Sequence, residues 1–406
     1  MQYRLQNTLL PKNWCMLNLL VKPEVQTFIK EHQTSDLDRL LLNKSKYPGI
    51  PVDLVVDQIR AREKAKEKLP LWAATEGIIM PPLLSMEQCS SEQTAAHKAS
   101  LFNGKVCIDL TGGAGVDSFY LSKQFDTIHY VEQNQELAEI AQHNFKLLGA
   151  SNIKVHNTAA EAFLSTFEGK ADLIYIDPAR RDEENKVFRF ESCSPNILPL
   201  QKSIWEKTEK VLVKASPMLD ITLAASQLTS VKEVHVVSLA NEVKELLLIQ
   251  NKTEEESIVV KAIDLSYHTL LSFNLGESIT PKTGSIQRFL YEPGAAILKS
   301  GGVNLLANSF PLIKLHENTH LFSSSSYVKN FPGRSFEVEK VVKYNKKEIA
   351  KSIEGNKANI AVRNFPDSVR LFRKKTGLKD GGDYYLFGYT AYDNSIEVAI
   401  CKKYHK

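Results

Sequence analysis

The sequence predicts a multi-domain α/β protein: a parallel sheet wrapped on both faces and closed by an antiparallel hairpin, with a helical domain before it and small α+β domains after it. Three observations predict this. From Glu87 onward, short apolar runs rich in β-branched residues alternate with helical stretches, the pattern of successive strand and helix units. The first run leads at once into a glycine-rich turn, Asp109-Leu-Thr-Gly-Gly-Ala-Gly-Val-Asp117. Two later runs, 234–239 and 246–249, have only 240–245 between them, too few residues for a crossover of about a dozen or more, so they must pair antiparallel.

Taken in order, residues 1–82 read as a helical N-terminal domain. Segments 23–30, 36–42 and 52–68 carry apolar residues three and four apart. Pro23 suits a helix start, Tyr47-Pro-Gly-Ile-Pro51 suits a turn, and Met80-Pro-Pro82 ends the pattern. Residues 83–278 hold the sheet, with strands at 106–110, 127–131, 153–156, 173–176 and 211–213, then the hairpin, then further strands at 258–265 and 269–273. A helix begins within Cys89 to Lys98, where Ser90 serves as N-cap and Gln93 completes a capping box, and where Thr94 and Lys98 share a face. Residues 276–284 read as a linker and 283–328 as a small α/β unit, in which Pro293-Gly-Ala-Ala-Ile297 starts a helix and 323–326 is an exposed serine loop. Residues 331–406 carry strands at 338–344, 358–362, 384–390 and 397–401, with a helix at 367–375.

Composition sets bounds. At 406 residues the chain exceeds what one hydrophobic core usually organises. With 43% hydrophobic and 24% charged residues it belongs to the soluble globular class, and no run approaches the roughly 18 apolar residues of a membrane helix. Residues 1–12 lack the pattern of a secretion signal. Five cysteines lie far apart with no C-x-x-C pair, which argues against a metal site and a disulfide framework and fits the cytoplasm. The net charge of +4 hides an asymmetry: residues 331–406 hold 16 Lys and Arg against 9 Asp and Glu, and the other residues hold 35 against 38. A basic terminal domain fits a polyanionic partner such as RNA, as it also fits a merely solvated face.

Three strand ends carry the candidate chemistry. After the first strand, Gly112, Gly113 and Gly115 let the backbone turn sharply and approach a ligand, and the carboxylate of Asp109 is placed to take a cationic ammonium. A dinucleotide fingerprint fits less well, because Ser118 stands where its third glycine belongs. At the second strand end Glu132, about 20 residues past the glycines, is suited to accept two ribose hydroxyls. At the third, Thr158 stands where an adenine-binding Asp is common in such sites, leaving adenine to backbone groups or to Glu161. After the fourth strand comes Tyr175-Ile-Asp-Pro-Ala-Arg-Arg181: Asp177 would face the reacting group, and Arg180 and Arg181 either clamp a phosphate or pair with Asp182, Glu183 and Glu184.

Five parallel strands closed by a hairpin is the topology of class I methyltransferases. Together with Glu87 to Lys98, the glycine loop, Val131-Glu132, Asp177 to Arg181 and Glu242-Val-Lys-Glu-Leu246, it resembles a bacterial family of S-adenosylmethionine-dependent methyltransferases with ferredoxin-like and THUMP-like C-terminal domains. Phe289 to Val328 is similar to the ferredoxin-like unit, and Arg363-Asn-Phe-Pro366 and Leu378-Lys-Asp-Gly-Gly-Asp-Tyr-Tyr385 to the THUMP-like module. The resemblance implies S-adenosylmethionine bound by Asp109, Thr111, Gly112, Gly113, Ala114, Gly115, Asp117, Glu132, Gln133, Thr158, Ala159 and Asp177, with Asp177, Pro178 and Arg180 at the acceptor, no metal, and a base in RNA as substrate. Enzymes methylating exocyclic amines follow this Asp with Pro-Pro and an aromatic residue that stacks the base; Asp177 and Pro178 match, but Ala179 and Arg180 do not supply that aromatic, which puts amino methylation in doubt. Two other functions stay open: an RNA-binding protein whose methyltransferase domain is silent, and a methyltransferase of a small molecule or protein.

Overall fold

The computed structural model describes residues 16–180, 189–252, 257–267 and 269–404. Residues 1–12, Cys15, Arg181, Asp182, Glu183 and Glu184, all used above, lie outside the described residues, and of Arg180 only the backbone is described.

The sheet predicted from the alternating runs is present. Its first strands are β1 (Gly104–Asp109), β2 (Phe125–Glu132), β3 (Ile153–Asn157) and β4 (Leu173–Ile176). A short ribbon of β5 (Ala179–Arg180) and β6 (Cys193–Ser194) follows. Then come β7 (Lys210–Ala215), β8 (Val231–Leu239), β9 (Glu242–Asn251), β10 (Val259–Asp264) and β11 (Thr269–Asn274). Nine of these form one sheet in the order β11-β10-β8-β9-β7-β4-β1-β2-β3. β1 pairs parallel with β2 and β4, β2 with β3, and β4 with β7. All four residues of β4 are buried, as expected for a strand covered on both faces. The hairpin turn is tighter than expected, two residues rather than six. Ala240 and Asn241 both adopt positive φ (53° and 59°), the twist that a two-residue hairpin loop requires, so β9 starts at Glu242.

By compactness the chain divides into two units, one of residues up to Ala215 with Ser226–Ser230 and 249–252, the other of the remainder. In the first, the helices Pro23–Glu31, Leu37–Leu42 and Val52–Lys68 sit where the apolar spacing put them. Asp36 caps the second, accepting hydrogen bonds from the backbone of Asp38 and Arg39. These helices are not insulated from the sheet layer. Their cluster of Val25, Phe28, Val55 and Ile59 includes Ile140, and Ala65, Trp72 and Met80 join Val116, Phe119, Tyr130 and Phe145 in a second core. The Asn144 amide ties the two layers, donating to the Ile79 carbonyl at 2.8 Å and accepting from the Ile79 N–H at 3.0 Å.

The second unit, besides β8, β10, β11 and most of β9, carries β12 (Phe289–Pro293), β13 (Ile313–His316), β14 (Thr319–Ser324), β15 (Gly333–Lys343), β16 (Asn359–Arg363), β17 (Tyr384–Thr390) and β18 (Ile396–Lys403). These last seven form one sheet, β13-β14-β12-β15-β18-β17-β16, to which both expected C-terminal segments contribute. Arg363, in the motif singled out above, reaches from β16 to the buried Glu292 of β12 at 2.5 Å, and Arg334 binds the same carboxylate. The expected serine loop is a correction: Ser323 and Ser324 lie in β14 and are buried. The Ser323 hydroxyl donates to the Phe289 carbonyl at 2.7 Å, which lets a polar side chain sit inside a sheet. Among the described residues no helix is long and apolar enough to cross a membrane.

Candidate active site

The glycine loop is stitched to the strands on either side. The N–H of Leu110 donates to the Tyr175 carbonyl at 3.0 Å and that of Gly112 to the Val131 carbonyl at 2.9 Å. Two glycines are sterically required. A Cβ on Gly112 would lie 2.2 Å from the ring of Tyr130, whose hydroxyl donates to the Gly113 carbonyl at 2.7 Å. Gly115 adopts a φ of +80° as it opens the helix Val116–Leu121, and a Cβ there would lie 2.7 Å from the Phe145 ring. Gly115→Ala is therefore expected to lower stability by about 1–3 kcal/mol through positive-φ strain and overpacking. A urea titration checks it, and an unchanged midpoint would contradict this account of the loop.

Asp109 is fully buried at the end of β1. Its carboxylate accepts hydrogen bonds from the Ser118 hydroxyl (2.6 Å) and the Thr111 N–H (3.0 Å), so it braces the loop from within. Burial pushes its carboxyl up to about 7 against those two hydrogen bonds, with Asp117 and Asp177 adding repulsion. The sign follows from which state holds the proton. An unfolded Asp loses it near 3.8 while the folded one keeps it to about 7, so Asp109 makes stability fall as pH rises across that window. Unfolding free energies measured from pH 4 to 7 should fall more steeply for the wild type than for Asp109→Asn. Parallel curves would contradict the assignment.

Glu132, at the end of β2, accepts from the N–H of Gly113 (2.9 Å) and of Asn134 (2.7 Å), one on each carboxylate oxygen. Each oxygen keeps a second lone pair. Of the neighbours expected to join it, Gln133 is exposed, and Ala114 and Ala159 are half-buried on loops. Thr158 is half-buried and donates its N–H to the Glu132 carbonyl at 3.1 Å. Glu161 is exposed on the next helix.

Asp117 is placed differently from the other loop residues. Its Oδ2 accepts from the hydroxyls of Ser90 and Tyr175, both at 2.8 Å, and its Oδ1 lies 3.1 Å from Lys98 Nζ. Lys98 is itself buried and also donates to Ser90 at 3.0 Å. Burial raises the Asp117 carboxyl, but Lys98, then Lys214, then the two hydroxyls outweigh it and hold it below the usual range. The cap of the helix Glu92–Ser100 is Ser91, which accepts from the Thr94 N–H at 3.1 Å. Ser90 is freed by that one-residue shift to join the buried network.

The segment Asp177 to Arg180 follows β4. The Asp177 N–H donates to the Thr111 hydroxyl at 2.7 Å, which fastens this segment to the glycine loop. Lys214, near the end of β7, donates to Asp177 Oδ2 at 2.5 Å, and sequence reasoning missed it. Pro178 is buried and Ala179 exposed, and the backbone of Arg180 pairs with Cys193. The motif thus brings Asp109, Thr111, Asp117, Asp177, Lys98 and Lys214 into one charged cluster.

Comparison with known proteins bears on the whole chain. Residues 93–236 match the family model described as conserved hypothetical protein 95, 289–332 a ferredoxin-like domain, and 333–403 a THUMP domain-like model. A candidate methyltransferase from Porphyromonas gingivalis W83, known from its crystal structure, is 32% identical with a TM-score of 0.84, over 96% of this chain and 98% of that one. The chain belongs to that methyltransferase family. An uncharacterised RNA methyltransferase of Caldanaerobacter subterraneus subsp. tengcongensis is 28% identical over 118 residues, 26% of this chain and 26% of that relative, so the match spans about a quarter of its length. In this member of the family, the glycine loop and the Asp177 motif fall within the stretch matched by the first family model.

Proposed function

We propose that this methyltransferase uses S-adenosylmethionine to methylate a base in RNA. The observation that carries the reading is the hydrogen bond from Asp177 to Thr111, which sets the acceptor motif directly against the cofactor loop. The residues suit the cofactor. Gly113 and Ala114 form the open top of the loop, where a Cβ on Gly113 would meet only the Thr111 carbonyl at 3.7 Å, and Glu132 has lone pairs left for ribose hydroxyls. When bound, the cofactor supplies an electrophilic methyl group on a sulfonium. Asp177 with Pro178 would orient the acceptor in a partly desolvated cleft, so that rate comes mainly from positioning.

Three facts favour RNA: the basic terminal segment, the THUMP-like match and the relative named as an RNA methyltransferase. The missing aromatic after Asp177-Pro178, where Ala179 and Arg180 supply no stacking ring, favours the second reading of a silent domain that only binds RNA. One assay separates them. Transfer of a radiolabelled methyl group from S-adenosylmethionine into total RNA of a strain lacking the gene is the expected result. Label found only outside RNA would assign another acceptor class, and no label anywhere would leave the silent reading.

A further inference from the structure

The sequence places a lysine in an apolar strand, Val211-Leu-Val-Lys-Ala215, and the structure buries it. The side chain of Lys214 is 11% exposed, whereas that of Asp177, 2.5 Å from its Nζ, is 32% exposed. The ammonium therefore lies on the protein side of the carboxylate and the carboxylate on the open side. Desolvating an ammonium is costly, and an apolar side chain of similar length would fill the same strand position without that cost, so stability alone is a poor reason for a lysine here. Its charge reaches a second member of the cluster as well, since Lys214 helps hold Asp117 ionised.

We infer that Lys214 is a positioning residue for the methyl acceptor: by holding Asp177 Oδ2 it fixes the rotation of that carboxylate and leaves Oδ1 as the oxygen offered to the acceptor. The backbone of Asp177 is already fixed by Thr111, so the side-chain rotation is the freedom left for Lys214 to remove. The inference rests on the proposed reaction for its kinetic consequence but not for its structural one. A loose Asp177 should cost the step that needs aligned reactants and spare cofactor binding, which depends on the loop.

The test uses the full chain with Lys214→Met and Lys214→Arg. Calorimetric affinity for S-adenosylmethionine should stay within about threefold of wild type for both, while kcat for methyl transfer to RNA falls by about a hundredfold in Lys214→Met with KM for S-adenosylmethionine little changed. Lys214→Arg, which keeps a cation at Asp177, should recover about tenfold or more of that loss. A crystal structure of Lys214→Met should show the Asp177 carboxylate rotated from its wild-type position. Wild-type kcat in Lys214→Met, or an unmoved Asp177 carboxylate in that variant, would overturn the inference. Should the wild type transfer no methyl group at all, the proposed reaction fails, and the crystal comparison still decides the role of Lys214. Should Lys214→Met not fold, Lys214→Gln, shorter and uncharged, takes its place: a rotated Asp177 carboxylate with reduced kcat supports the inference, and wild-type behaviour in both respects overturns it.

Discussion

Asp177→Asn should lower kcat for methyl transfer by about a hundredfold or more while binding S-adenosylmethionine nearly as well as wild type. The substitution keeps the size of the side chain and leaves an oxygen for Lys214, so the strand end stays packed. What it removes is the anionic oxygen proposed to face the acceptor. The glycine loop touches Asp177 through the backbone N–H to Thr111, which asparagine retains. A parallel loss of kcat and cofactor affinity would place Asp177 in cofactor binding rather than at the acceptor. Wild-type rates would remove it from the site altogether.

Lys98→Met should destabilise the protein by about 3–5 kcal/mol, because it strands a buried carboxylate. The pair is well shielded, with side chains 1% and 11% exposed, so solvent screens little of the loss. Lys214, Ser90 and Tyr175 would still favour the Asp117 carboxylate, but Lys98 is the cation in direct contact with it and the strongest of these influences. Pairing the change with Asp117→Asn should restore part of the stability, since no charge is then buried alone. Denaturant titration of the two variants and wild type reads this directly. A single-variant loss below about 1 kcal/mol, typical of an exposed pair, would contradict the burial of this network.

The parts of the fold that the sequence disclosed were those with a repeating physical signature. Buried parallel strands show as apolar runs, and 173–176 coincided with β4 residue for residue. Spacing alone required the hairpin, because no helix fits between its strands. The misreadings came where one side chain satisfies itself locally. Ser323 looked like loop until its hydroxyl was found on the Phe289 carbonyl, and the helix cap was set one residue early because Ser90 and Ser91 are chemically equivalent in a string of letters. The site divides in the same way. Asp109, the glycines, Glu132 and Asp177 stand at strand ends and were readable from position. Lys98 was marked only as sharing a helix face with Thr94, and Lys214 was not marked at all, since a lysine in isolation reads as a solvated residue and only the fold shows which carboxylate lies behind it.

The central claim is that the loop Asp109 to Asp117 binds S-adenosylmethionine, and calorimetry on the purified full-length protein tests it most directly. The account predicts saturable binding of S-adenosylmethionine at one site per chain, weakened when Gly112 is replaced by a side chain that would meet the Tyr130 ring, and no comparable binding of a nicotinamide dinucleotide. Absence of heat with S-adenosylmethionine, or binding of the dinucleotide in its place, would contradict it.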